Sequence, residues 1–128
     1  MMKIAMCSIP VTDPLKAHQF YTEILQFKSH LYMPEHQLAI VVDEGNPNFT
    51  KLLLEPNSNS ISKNYQEGLY QSAIPIIVLN TEDIQQEYHR LKQLGINFMK
   101  EPTKQAWGLE TVFDDTCGNY IQLVQLPN

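Results

Sequence analysis

An internal duplication constrains this chain more than any other feature: a strand, a helix and three further strands, met twice. The first copy reads Ile4–Ile9, Pro14–Leu25, then strand-like runs near Lys28–Met33, Leu38–Asp43 and Thr50–Glu55. The second reads Ile74–Leu79, Thr81–Leu94, then runs near Ile96–Lys100, Thr111–Asp114 and Asn119–Gln125. The closing strands match as well, Leu52-Leu53-Leu54-Glu55-Pro56 against Gln122-Leu123-Val124-Gln125. One copy alone has few strands and an open edge, whereas two joined copies bury those edges and make a sheet able to enclose a ligand. The expected fold is α+β, two βαβββ modules forming a curved mixed sheet around a cleft. Inward side chains from both halves are expected to meet there.

With 128 residues the chain is expected to be a single domain, residues 1–128, large enough for one core but not two independent ones. Module 1 covers about 1–57 and module 2 covers 73–128. Residues 58–72 between them, rich in Asn, Ser, Gly and Lys, read as a polar linker. The first helix has clear start signals, Asp13 as N-cap and Pro14 at the first helical position. The second opens at Thr81 with Glu82 and Asp83 where the helix dipole favours anions, and ends at Gly95. Asp115-Thr116-Cys117-Gly118-Asn119 reads as a tight hairpin connection, with Gly118 free to take a positive φ.

The net charge of −5 and the lack of a Lys/Arg cluster argue against nucleic acid as a partner. Apolar runs are strand-length, far short of the ~20 residues a membrane helix needs. Met1-Met2-Lys3-Ile4 leads into strand residues and Pro10 without the long apolar core of a signal peptide. The expectation is a cytoplasmic protein in which Cys7, in a buried strand, and Cys117, in a turn, are inert reduced thiols.

Val11-Thr12-Asp13, followed by Ala17-His18-Gln19-Phe20-Tyr21-Thr22-Glu23-Ile24-Leu25-Gln26-Phe27, resembles the opening of the vicinal oxygen chelate superfamily. That opening often reads V-x-D-x-x-x-A-x-x-F-Y-x-x-x-L-G-F, and this chain carries Gln26 where Gly is usual. Trp107-Gly108 and Asp115-x-x-Gly118-Asn119-x-Ile121-x-Leu123 resemble the usual ending, W-G … D-P-x-G-N-x-I-E-L. The resemblance spans essentially the whole chain and implies the duplicated fold. It leaves the activity open, because the superfamily includes glyoxalase I, extradiol dioxygenases, methylmalonyl-CoA epimerase, fosfomycin-resistance enzymes and metal-free bleomycin-binding proteins.

In metal-dependent members, His and Glu on the opening and closing strands of each module hold a divalent ion. The resemblance places those positions at Met6, at Leu52 or in a shifted register Glu55, at Pro75 or by a one-residue slip Ile74, and at Gln122. Pro has no side-chain donor, Met is soft and Gln is weak, so the expectation is no metal site and no cofactor. None of His18, His30, His36 and His89 falls at a family ligand position. Strand alternation puts Glu55 on the face opposite Leu52 and Leu54, which reads as a structural or surface role.

Parity gives the expected cleft lining: Met6 with Ser8, Leu52 with Leu54, and Tyr120 with Gln122 and Val124. Trp107 is expected as a wall or lid. The leading expectation is binding of a small, partly apolar molecule by a homodimer, as in bleomycin-resistance-like proteins. A glyoxalase-like lyase is the competing class, and a partner-binding structural or regulatory module a third.

Overall fold

In the computed structural model, which describes residues 1–46 and 48–127, two compact units are present, Met1–Gln66 and Glu67–Asn128. The first unit holds β1 (Met6–Val11), α1 (Pro14–Gln19), β2 (Lys28–Met33), β3 (Leu38–Val42) and β4 (Lys51–Pro56). The second holds β5 (Ile77–Asn80), α3 (Ile84–Gln93), β6 (Thr103–Gln105), β7 (Gly108–Asp114) and β8 (Tyr120–Gln125). Each unit has one four-stranded sheet, ordered β1-β4-β3-β2 in one and β5-β8-β7-β6 in the other. In each the opening strand runs parallel to the closing strand and the remaining pairs are antiparallel. The duplicated plan of the sequence is thus a duplicated topology. Among the described residues no helix is long and apolar enough to cross a membrane.

Asp13 caps α1 as its position predicts, its Oδ1 accepting from Leu15 N at 3.0 Å, with Pro14 following. The helix then widens into a π turn, Phe20–Ile24, closed by Leu25 N donating to Phe20 O at 3.1 Å. Gln26 follows with φ +68°, the left-handed conformation that explains why the resembling motif prefers Gly there. Ala17, Phe20 and Tyr21 are buried, and α1 packs on β3 and β4. Through Ala39, Val41 and Leu54 those strands form the core of the first unit. At the edge of this core the His18 ring stacks on Tyr32, and its Nε2 lies 2.8 Å from Ser29 Oγ. In the second unit Asp83 caps α3 by accepting from Gln86 N at 3.1 Å, and Gly95 ends it with φ +87°. Tyr88 meets Phe98 edge-on and Phe98 meets Phe113, which ties α3 to the sheet face carrying Phe113, Ile121 and Leu123.

Three expectations are corrected. The polar stretch read as a linker contains α2, Ser60–Gln71, begun by Asn59 Oδ1 accepting from Ser62 N at 2.8 Å. The strand expected near Ile96–Lys100 is only a bridge between Phe98 and Phe113, and the paired strand is the polar run Thr103–Gln105. Cys7 is exposed, because the first residues of β1 are uncovered on both faces, while Cys117 is buried.

One polar side chain of α2 is core. Gln66 is 2 % exposed, donates to Pro10 O at 2.9 Å and accepts from Asn57 Nδ2 at 2.9 Å. Replacing it with Ala removes both of these bonds, and urea unfolding is expected to show a loss of about 1–2 kcal/mol. An unchanged midpoint and slope would mean that Gln66 contributes nothing to the fold.

The glycine after Trp107 has a steric origin. Gly108 has φ +147°, and a Cβ there would lie 2.3 Å from Gln125 O. Only glycine lets β7 begin so close to the end of β8.

Candidate functional site

Strand register decides which side chains share a face. In the first unit Met6 pairs with Lys51, Ser8 with Leu53 and Pro10 with Glu55. Leu52 pairs instead with Cys7 and Val41, and Leu54 with Ile9 and Ala39, which is the face under α1. Leu54 is 0 % exposed there. The expectation that Met6, Ser8, Leu52 and Leu54 share one face is therefore revised: Met6 and Ser8 lie with Leu53, Ile40 and Glu55. Glu55 is opposite Leu52 and Leu54 as alternation requires, but that places it on the face of Met6 and Ser8, with no bulge needed.

In the second unit parity holds. Gln122 pairs with Val78 and Val112, Tyr120 with Asp114, and Val124 with Asn80 and Glu110. These form the face opposite the one α3 covers, since Ile84 N at the start of α3 is bonded to Gln125 Oε1 and Phe113 packs toward Tyr88 through Phe98. The middle of this face is apolar. Val112 and Val124 are buried and Val78 is exposed. Gln122 stands among them half-buried, and its side-chain amide bonds to no described residue. An unengaged amide offers both a donor and an acceptor.

Polar clusters flank that centre along β7. On one side Glu110, 6 % exposed, is ion-paired to Lys100 and accepts from Gln105 Nε2 at 3.2 Å. On the other side Asp114 accepts from the Tyr70 hydroxyl at 2.5 Å, and the Tyr70 ring stacks on Tyr120 with centroids 4.5 Å apart. The hydrogen bond to Asp114, followed by burial, raises the Tyr70 phenol well above its ordinary range. Trp107 is in the turn between β6 and β7 and 44 % exposed.

Sequence reading missed Glu110 and Tyr70. Glu110 had a signal, a carboxylate within the apolar strand Leu109-Glu110-Thr111-Val112-Phe113. Tyr70 had none, because its segment is polar and lacks an apolar helical stripe.

The turn behind Tyr120 explains the closing motif. Asp115 Oδ1 accepts from Cys117 N at 2.7 Å and Asn119 N at 3.0 Å, its Oδ2 accepts from Asn119 Nδ2 at 3.1 Å, and Gly118 takes φ +97°.

The donor chemistry does not fit a divalent ion of the kind the resemblance implies. Aligning the units on the caps Asp13 and Asp83 matches Met6 with Ile76 and Ser8 with Val78, and neither Ile76 nor Val78 has a donor. At the family's positions the first unit offers a thioether, a hydroxyl and the Glu55 carboxylate, and the second offers only the Gln122 amide, so neither holds more than one hard anionic ligand there. Among the described residues no three His, Cys, Asp or Glu side chains gather as a metal-holding group. Two open hollows in the first unit, of about 460 Å³ beside Thr22, Gln26 and Lys28 and about 710 Å³ beside Ile4, Phe49 and Thr50, include none of the expected site residues.

A family model described as the Glyoxalase/Bleomycin resistance protein/Dioxygenase superfamily matches residues 3–123. The uncharacterized protein YurT of Bacillus subtilis (strain 168) is 43 % identical over 126 residues, covering 97 % of this chain and 99 % of that protein. Among solved structures, UcmS2 superposes with a TM-score of 0.80 at 27 % identity, covering 97 % of this chain and 98 % of that one. TnmS3, described as an antibiotic binding protein from Streptomyces sp. CB03234, gives a TM-score of 0.74 at 25 % identity, covering 99 % and 98 %.

Proposed function

The chain belongs to the glyoxalase/bleomycin resistance protein/dioxygenase superfamily, and from that premise we propose that it binds a small, partly apolar organic molecule on the face of the second unit opposite α3. The observation that carries this reading is Gln122: a half-buried amide with no side-chain partner, set among Val78, Val112 and Val124. Apolar surface with a few aimed polar groups is the usual make-up of a small-molecule site. The similarity to an antibiotic binding protein supports the same class of ligand. In the first unit, Met6 and Ser8 with Leu53 are the corresponding candidates, and Leu52 and Leu54 are withdrawn because α1 covers their face. A thermal-shift screen of antibiotics and other amphiphilic organic molecules tests the proposal. Saturable stabilisation by at least one compound is expected. Its absence across a chemically broad set, in folded protein, counts against the reading.

One observation favours the competing lyase reading, the carboxylate of Glu55 on the face of Met6 and Ser8. Proton abstraction beside a carbonyl needs such a base together with an electrophile. Added Zn²⁺ or Ni²⁺ is expected to leave the melting temperature unchanged and to elicit no conversion of the glutathione hemithioacetal of methylglyoxal. Metal-dependent turnover lost in Glu55→Gln would establish the enzyme instead.

A further inference from the structure

Tyr70 closes the last turn of α2 and lies over the end of the proposed face in the second unit. Its ring is parallel to that of Tyr120 within 8°, with centroids 4.5 Å apart. It is held from two directions, by this stack and by its hydroxyl on Asp114 Oδ2 at 2.5 Å. Tyr120 and Asp114 are themselves partners in the β7–β8 ladder, so both anchors are fixed by the sheet. Both tyrosines remain partly exposed. A side chain so tethered loses little freedom when something rests against it, which makes the pair a pre-organised aromatic surface. Two residues further along β8 is Gln122, on the same side, a strand distance of about 7 Å.

Flat π-systems gain more from stacking on such rings than from burial of area alone, and saturated rings do not share that gain. Resting on the reading that this face holds a small molecule, the geometry points to a narrower ligand class: a planar aromatic ring stacked against the Tyr70–Tyr120 pair, bearing a carboxamide-like group that pairs with Gln122. Tyr70 is then a specificity-determining residue, and α2 is part of the binding site. The Glu110–Lys100 ion pair lies beyond Gln122 and bounds the site on that side.

The test uses 2-naphthamide and its saturated counterpart, decahydro-2-naphthamide, followed by ligand-observed NMR with the whole 128-residue chain. Saturable binding of 2-naphthamide is expected, with the saturated amide at least tenfold weaker. Tyr70→Leu is expected to weaken 2-naphthamide about tenfold and to move the saturated amide less than twofold. Tyr70→Phe keeps the ring but loses the tether, and is expected to fall between, at about threefold. Should the leucine variant fail to fold, the phenylalanine variant and the aromatic-to-saturated ratio of the unmodified protein carry the test. Equal binding of the two amides, or a ratio unchanged by either substitution, overturns the aromatic platform. If Gln122→Leu still abolishes that binding, the small-molecule site itself stands. Failure of 2-naphthamide to bind at all also overturns the platform, and the broader screen then judges the site independently.

Discussion

Replacing Asp115 with Ala is expected to lower the unfolding free energy by about 3–5 kcal/mol, measured by urea denaturation. The carboxylate is 0 % exposed and accepts from two backbone N–H groups and the Asn119 side chain within five residues of chain. Each charge-assisted bond contributes about 1.5–3 kcal/mol, and an alanine leaves buried donors behind. Asp115→Asn keeps an acceptor oxygen and is expected to cost less than half as much. The turn also sets the pairing of Asp114 with Tyr120, so loosening it displaces the strand that carries Gln122. A loss under about 1 kcal/mol in the alanine variant would mean that the ladder, not the turn, holds that register.

Gln122→Leu is expected to weaken binding of a screened ligand by about 10–100-fold, that is about 1.4–2.8 kcal/mol, while leaving the melting temperature nearly unchanged. The two readouts separate because the Gln122 amide bonds to no described residue, so the fold loses no side-chain hydrogen bond when it is removed. Leucine has similar bulk and suits the flanking valines. Unchanged affinity, by calorimetry, removes Gln122 from the site.

The parts of this fold legible in the sequence were those in which local signals agree. Asp13-Pro14 marks one helix start, Gly95 one helix end, and the strand-like run near Lys28–Met33 is β2. The face of Tyr120, Gln122 and Val124 followed from strand parity, because buried Ile121 and Leu123 intervene. In β4 the run Leu52-Leu53-Leu54 does not alternate, so only its pairing with β1 assigns faces, and counting from the family positions chose the wrong one for Leu52 and Leu54. That same pairing moves Glu55 onto the face of Ser8. The helix α2 was hidden for a related reason. Its fully buried side chain is Gln66, a polar residue that hydrophobic periodicity cannot mark, while Ile61 and Tyr65 are exposed. The edge strand Thr103–Gln105 is likewise polar and is defined by its ladder with β7 rather than by composition.

The most direct test of the small-molecule site is a ¹⁵N–¹H correlation titration of the protein with a compound found by the thermal-shift screen. Saturable shifts are expected at Tyr120, Gln122, Val112 and Val78, with His89 and Lys92 on α3 unmoved. Saturable shifts confined to α3, or to Thr22, Gln26 and Lys28 beside the hollow of the first unit, would contradict it.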